Sequence, residues 1–178
     1  MRRITVEKLI VTAVLTVWWL TMPVTGYAPI GFRGLIASLD AANTGDHLLY
    51  MVSHANIWHL LGNLFVLWIM RKRLYLLESV AIAFLCSYLP AVGLFPIGMT
   101  VGFSGVLFAI FGIKWGVYCQ AGDAAGKEAG DMALINFICK ALPFALIGLI
   151  IPHVNGCLHL YCLIAGFLYG RYNRHIRY

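Results

Sequence analysis

Charged side chains are scarce in this sequence. Only 11% of its 178 residues are Asp, Glu, Lys or Arg, whereas 61% are hydrophobic, and a soluble domain carries about 25% charged residues. This scarcity excludes a soluble globular protein and predicts an all-α integral membrane protein. A helix needs roughly 20 residues to cross a bilayer, so the chain has room for about six transmembrane helices. We therefore expect one transmembrane domain over residues 1–178 and no separate soluble domain.

Cys-x-x-Cys pairs and a clear signal-peptide cleavage site are also missing from the sequence. The five cysteines lie in or beside apolar segments, and none belongs to a Cys-x-x-Cys pair. We expect buried free thiols and neither a metal site nor a disulfide framework. The N-terminal stretch MRRITVEKLIVTAVLTVWWL has the basic start and apolar centre of a signal peptide, but no clear small-residue cleavage site follows. We interpret it as a retained first helix that also directs insertion.

Six apolar segments follow one another along the chain. Their hydropathy, with the prolines and basic residues that end several of them, predicts helices over residues 8–25, 55–70, 75–93, 102–119, 132–151 and 156–170. The longest connection, residues 24–54, contains apolar stretches such as GFRGLIASL. We expect it to enter the membrane interface.

Lysine and arginine lie almost entirely on one side of these predicted spans. A net charge of +6 would suggest nucleic acid in a soluble protein, but charges at span ends indicate orientation in the membrane. The opposite side receives only Arg33, and Lys140 is ambiguous within its segment. We expect cytoplasmic termini, no nucleic-acid partner and, if the source is bacterial, the plasma (inner) membrane. The basic residues on the cytoplasmic side are Arg2, Arg3, Lys8, Arg71, Lys72, Arg73, Lys114, Lys127, Arg171, Arg174 and Arg177.

Four polar residues share one layer inside the predicted spans. Polar side chains at membrane depth are costly unless they face a cavity or a partner. Measured from the basic end of each span, the depths are roughly 12 Å for Asn63, 15 Å for Ser104 and 18 Å for both His59 and His159. Each has an ordinary alternative: a serine bonded to its own helix, an asparagine joining two helices, a histidine at the interface. A common layer on three helices favours a joint polar site.

The span that carries Ser104 is expected to begin below the outer surface. From Gly102 to Lys114 it covers only about 18 Å, whereas the hydrocarbon core is about 30 Å thick. This would leave a space above Ser104 that water can fill.

Small residues repeat along one face of the fourth segment and one face of the sixth. Such stripes let membrane helices pack backbone to backbone, and facing each other they would bring Ser104 near His159. The alternative is that each stripe packs against some other helix. The stripes are Gly105, Ala109, Gly112 and Gly116 in the fourth segment, and Cys162, Gly166 and Gly170 after His159 in the sixth.

These residue types fit nucleophilic catalysis. Ser104 is a candidate nucleophile and His159 a candidate base, while His59 and Asn63 share a helix face and can donate hydrogen bonds to a developing oxyanion. No acidic residue lies at that depth near His159, so the arrangement would be a dyad. Val106 stands where a nucleophile elbow has its last glycine, which excludes that motif.

Three motifs, in this order, resemble those of the rhomboid family of intramembrane serine proteases. HANIWHLLGN at 54–63 is similar to the second-helix motif, GFSG at 102–105 to the catalytic motif, and HLYCLIAGFLYG at 159–170 to the last-helix motif. The layout of six helices corresponds as well. The resemblance therefore implies a six-transmembrane-helix rhomboid-like bundle.

The resemblance also implies a function and roles for residues. A Ser104–His159 dyad would cleave peptide bonds in or near transmembrane helices of membrane protein substrates, without a cofactor or a metal. His59, Asn63 and the Ser104 backbone N–H would hold the oxyanion. His54, Gly102 and Gly105 complete the motifs, and Phe108 occupies the place of a tyrosine that packs on the catalytic histidine. Leu49 and Tyr50 stand where many members have Trp-Arg, so the anchoring of this loop must differ.

Two other functions remain compatible with the sequence. One is a rhomboid-like protein that binds membrane helices without cutting them, although an intact serine–histidine pair argues against it. The other is a small channel or transporter using the same polar layer, although no internal repeat or broken half-helix is evident. Labelling with a serine-directed fluorophosphonate would separate the protease from both.

Overall fold

All regular structure is helical in the computed structural model, which describes residues 2–25, 44–70, 73–89, 100–147 and 154–173. The predicted all-α class is confirmed for these residues. In chain order the helices are α1 (Arg2–Thr25), α2 (Thr44–Leu49), α3 (Ile57–Ile69), α4 (Leu76–Cys86), α5 (Ser104–Ala125), α6 (Lys127–Asn136), α7 (Leu142–Ile147) and α8 (Gly156–Tyr172). A π-helical turn, Phe137–Ala141, joins α6 to α7.

Several boundaries differ from those that the sequence predicts. Helix α5 continues to Ala125, so Lys114 does not end it. A lysine side chain can lie along a helix and carry its ammonium to the surface, which makes a single lysine a poor end signal. The fifth predicted segment begins earlier, at Lys127, and the π-helical turn interrupts it. The long connection contains the short helix α2, and parts of the third and fifth predicted segments, 90–93 and 148–151, lie outside the described residues.

One described helical segment, Ser104–Asp123, is by itself long and apolar enough to cross a membrane. Helices α3 and α4 are apolar but shorter. Helix α1 exposes a series of large apolar side chains that suits contact with lipid: Val6, Leu9, Ile10, Val14, Val17 and Leu20. The count of six spans stays a prediction.

Helices α5 and α8 touch through their backbones, as the two small-residue stripes predict. A Cβ atom on Gly166 would lie 2.4 Å from the carbonyl oxygen of Ala109, and one on Gly112 would lie 2.7 Å from the amide nitrogen of Phe167. Neither distance leaves room for any side chain, so only glycine permits this approach. The close contact brings the N-terminal ends of α5 and α8 together.

Helix α1 is attached to the C-terminal end of α3 by a buried lysine. The Lys8 ammonium donates to the carbonyl oxygens of Trp68 at 2.9 Å and Met70 at 2.5 Å. The last carbonyls of a helix have no partner within it, and a cation there satisfies them and complements the helix dipole. The Trp68 indole N–H also donates to the Thr12 hydroxyl at 3.1 Å. These bonds join α1 to the C-terminal end of α3, opposite the end that carries His59.

Candidate active site

Ser104 and His159 meet where α5 and α8 begin. Ser104 is the first residue of α5 and His159 lies in the first turn of α8. The Ser104 hydroxyl and His159 Nε2 are 2.8 Å apart, within the range for direct proton transfer. With the ring proton on Nδ1, the serine O–H donates to Nε2. Among the described residues no carboxylate hydrogen-bonds this histidine, so the geometry is that of a pair.

The imidazole of His159 is oriented by an aromatic ring. Phe108 lies one turn after Ser104 on α5, and its ring stacks on His159 with centroids 4.4 Å apart and planes 20° apart. Phe108 and Ser104 belong to the same helix. The Phe108 ring therefore holds the imidazole of His159 in an orientation in which Nε2 faces the Ser104 hydroxyl. Phe108 therefore packs on the ring of His159 from the helix that carries Ser104.

His59 and Asn63 converge on the backbone of Gly102, two residues before Ser104. Gly102 has a φ of +119°, a conformation that favours glycine. A Cβ there would lie 2.6 Å from His59 Cε1 and Nε2, and 3.5 Å from Asn63 Nδ2. Both polar side chains of α3 therefore face the turn that leads into Ser104, and only glycine leaves space between them.

The side-chain amide of Asn63 has an unused donor. Asn63 is buried, and its Nδ2 has no hydrogen-bond partner among the described residues. A buried polar group without a partner costs about 1–3 kcal/mol. Since this atom lies beside the cavity next to Ser104, the missing acceptor is one that a bound molecule can bring.

The segment that precedes α3 supports the site through Tyr50 and His54. The carbonyl oxygen of Tyr50 accepts from the Gly102 N–H at 2.8 Å, and its buried hydroxyl donates to the Ala83 carbonyl at 3.1 Å. His54 donates from Nδ1 to the Val52 carbonyl at 3.1 Å, and its ring meets that of His59 edge to face at 5.1 Å. Burial, helped by the proximity of His59, lowers the pKa of His54 to about 4, so its ring is neutral at pH 7.

A cavity of about 420 Å³ opens beside these groups. It contacts the candidate residues Ser104, His159, His59, Asn63, Gly102 and Phe108. Its remaining wall is mainly apolar, with Trp58, Val66, Leu107 and Phe111 among the lining side chains. A mostly apolar pocket with a few convergent polar groups is the usual form of a binding site.

The structure brings most of the predicted site residues to this cavity. Gly105 and His54 are not among its lining residues. A Cβ on Gly105 would face Tyr50 and Cys162, so this glycine belongs to the α5–α8 contact, and His54 packs against His59. The sequence did not identify Thr100 and Asn155, which also line the cavity and hydrogen-bond each other. The Asn-Gly at 155–156 is a helix-capping signal that could have indicated Asn155, whereas Thr100 follows no local pattern.

The comparison with family models agrees with the motifs. The Rhomboid domain model matches residues 44–175, which include every helix except α1. The chain belongs to the rhomboid family. The resemblance drawn from the three motifs is therefore confirmed, and with it an integral membrane protein of a family of intramembrane proteases. No curated protein and no solved structure matches the chain.

The positions of the rhomboid family motifs relate the cavity to the activity of the family. The family acts on membrane proteins within the bilayer. The three family motifs lie on α3, at the start of α5 and on α8, and these are the three parts of the chain that meet at the cavity.

Proposed function

We propose that this rhomboid protein is an active serine endopeptidase that cleaves peptide bonds in or near the transmembrane helices of membrane proteins. The observation that carries the proposal is the 2.8 Å contact between the Ser104 hydroxyl and His159 Nε2 beside an accessible cavity. A rhomboid-like protein that only binds helices has no need of this pairing.

In the proposed mechanism Ser104 is the nucleophile and His159 the general base. The Ser104 oxygen attacks the carbonyl carbon of the substrate while its proton passes to His159 Nε2. The same proton is then given to the leaving amine, which produces an acyl-enzyme on Ser104. A water molecule gives its proton to His159 and attacks the acyl-enzyme, which releases the second product and restores the serine.

Three hydrogen-bond donors are proposed to stabilise the oxyanion: His59, the Asn63 side chain and the backbone N–H of Ser104. The support is the unused Nδ2 donor of Asn63 and the convergence of both α3 side chains on Gly102. A donor that has no partner at rest and gains one as charge develops contributes more to the transition state than to the ground state.

The test uses a purified preparation in liposomes with a single-span substrate. We expect cleavage by the wild type and none by Ser104→Ala or His159→Ala. Removing both residues should cost little more than removing one, because they act as a unit. Chelation by EDTA at constant pH should leave the rate unchanged, since the proposed mechanism uses no metal. Wild-type turnover by Ser104→Ala would overturn the proposal.

The chain offers a matched control for labelling with a fluorophosphonate. Ser87 also hydrogen-bonds a histidine, since its hydroxyl lies 2.7 Å from His47 Nδ1. This second pair is fully buried and lies outside the cavity. We expect the label to disappear in Ser104→Ala and to remain in Ser87→Ala. Equal labelling of both variants would contradict the assignment of Ser104 as the nucleophile.

We also propose six spans with both termini in the cytoplasm. The support is the distribution of lysine and arginine, which places all but Arg33 and the ambiguous Lys140 on one side of the predicted segments. Reporter fusions at residue 178 and within 26–43 should report cytoplasmic and outer locations, respectively. The same location for both fusions would overturn this topology.

A further inference from the structure

Asn155 and Thr100 form a hydrogen bond that runs parallel to the contact between His159 and Ser104. Asn155 Nδ2 donates to the Thr100 hydroxyl at 2.9 Å. Thr100 precedes Ser104 by four residues, and Asn155 precedes His159 by four, so both contacts join positions 55 apart in the sequence. The same two segments of the chain are thus joined twice.

Asn155 is held firmly to the helix that carries His159. Its Oδ1 caps α8 by accepting from the Leu158 N–H at 3.0 Å, while its Nδ2 serves Thr100. Asn155 and Thr100 are 9% and 8% exposed. Bulk water therefore competes weakly for this bond, and a buried hydrogen bond is electrostatically stronger than an exposed one.

Thr100 lies at the beginning of the short segment that leads into Ser104. Phe103, the residue before α5, makes no side-chain cap, so the position of Ser104 depends on what holds residues 100–103. Two described bonds do so: the Gly102 N–H bonded to the Tyr50 carbonyl, and the Thr100 hydroxyl bonded to Asn155. Only the second connects this segment to the helix that carries His159.

We propose that Thr100 and Asn155, which we call the clasp, are positioning residues that hold Ser104 and His159 at the distance of proton transfer. This proposal rests on the proposed function. The glycine contacts fix α5 and α8 further along, at Gly112 and Gly166, and the clasp fixes the ends that carry the pair. A hydrogen bond between catalytic groups must stay within about 2.6–3.2 Å, so a small slide of α8 against residues 100–103 is enough to interrupt it.

The first test compares two substitutions at Thr100. Thr100→Val keeps the shape and removes the hydroxyl, whereas Thr100→Ser keeps the hydroxyl. We expect Thr100→Val to lower kcat about tenfold with KM within about twofold, because misplaced groups slow the chemical step without weakening substrate binding. Thr100→Ser should retain kcat within about twofold.

A matched control removes a threonine hydroxyl from another helix contact. Thr12 accepts a hydrogen bond from the Trp68 indole between α1 and α3. Thr12→Val should keep the kcat of the wild type. An equal loss of kcat in Thr12→Val and Thr100→Val would mean that any lost interhelical bond has this effect, and would overturn the clasp.

Asn155→Ser gives a second approach that does not depend on Thr100→Val. Serine still caps a helix, but its side chain is too short to reach Thr100. We expect Asn155→Ser to lower kcat as much as Thr100→Val does. Combining the two substitutions should lower kcat no further, because both remove the same hydrogen bond. Additive losses in the double variant would overturn the clasp.

The clasp and the proposed function fail in different ways. The clasp residues line the cavity, so a rise in KM with an unchanged kcat in Thr100→Val would make them substrate contacts and overturn the clasp alone. Wild-type kcat and KM in both Thr100→Val and Asn155→Ser, with Ser104→Ala inactive, would also overturn only the clasp. A wild type that does not cleave would overturn both proposals.

Discussion

The substitution Gly166→Ala should strongly lower the activity of the candidate site, although Gly166 does not line the cavity. The new Cβ would lie 2.4 Å from the Ala109 carbonyl oxygen and 3.2 Å from Ala109 Cα. These are backbone atoms, so no side chain can rotate away to make room. Ordinary contact begins near 3.4 Å, and the two helices would therefore have to separate by about 1.0 Å at this level.

The separation exceeds what the Ser104–His159 contact tolerates. Their hydrogen bond of 2.8 Å can lengthen by about 0.4 Å before it leaves the useful range of about 2.6–3.2 Å. Less than half of the displacement at Gly166 is thus enough to interrupt proton transfer. We expect kcat to fall about 10²-fold and the free energy of unfolding to fall by about 1–3 kcal/mol, as in other overpacked contacts.

Two other glycines provide controls. A Cβ on Gly105, although nearer to Ser104, would meet only side-chain atoms of Tyr50, Cys162 and Leu158, at 3.3, 3.6 and 3.7 Å. Gly105→Ala should therefore be much milder. A Cβ on Gly62 would have no atom within 4 Å, so Gly62→Ala should keep or raise the melting temperature through better helix propensity. Because Gly62 lines the cavity, this variant is a control for melting temperature and not for turnover. The assay is turnover of a single-span substrate in liposomes beside melting temperature, and a Gly105→Ala protein less active than Gly166→Ala would refute the reasoning.

Three further predictions concern the site and its supports. Asn63→Ala should lower kcat by about 10²–10³-fold with no loss of melting temperature, since its Nδ2 has no described partner to lose. The double variant with His59→Ala should have a still lower kcat, whereas a lower melting temperature with unchanged kcat in Asn63→Ala would mean that Asn63 has a structural role only. The pH–rate profile should fall on its acid side, because His159 must be neutral to accept the serine proton; a rate that stays constant until the protein unfolds in acid would contradict its role as base. Lys8→Met should lower the melting temperature but not the kcat of the folded fraction, because it removes two bonds to the end of α3; an unchanged melting temperature would show that these bonds contribute nothing.

The contact between α5 and α8 could be predicted because its cause is local. Close approach of two membrane helices needs small residues every three or four positions, and that spacing is visible in the sequence without knowledge of the fold. The end of α5 could not be predicted in the same way. Lys114 is a basic residue in an apolar run, and whether such a residue ends a helix depends on where its side chain can extend.

The π-helical turn and α2 were missed for a similar reason. A π turn at Phe137–Ala141 changes the hydrogen-bond spacing of a helix, but the hydropathy pattern on both sides remains helical. Helix α2 has only six residues, too few for a periodicity to be recognised. Its stability comes from packing, for instance His47 on Tyr88 with ring centroids 3.7 Å apart.

The residues of the candidate site also differ in whether the sequence could predict them. Depth and motif spacing selected Ser104, His159, His59 and Asn63 as candidates, because these residues lie on predicted helices whose geometry is known in advance. Tyr50 and Thr100 act from loops, and their partners lie 33 to 55 positions away. Long-range pairings of this kind have no period in the sequence, so they become visible only when the fold is known.

In the proposed mechanism, the orientation of His159 offers a reason why a serine–histidine pair without a carboxylate can act in a membrane. In a triad a carboxylate orients the histidine, but a carboxylate inside a bilayer adds the cost of burying a charge. Here Phe108 stacks on the ring at 4.4 Å, and the N-cap of Asn155 fixes the start of the helix that carries it. Neither the Phe108 ring nor the Asn155 side chain carries a charge. The stacking of Phe108 is also apolar packing, which suits the interior of a membrane. In the proposed mechanism the site therefore obtains its preorganisation from packing and capping, at no cost in buried charge before the reaction begins.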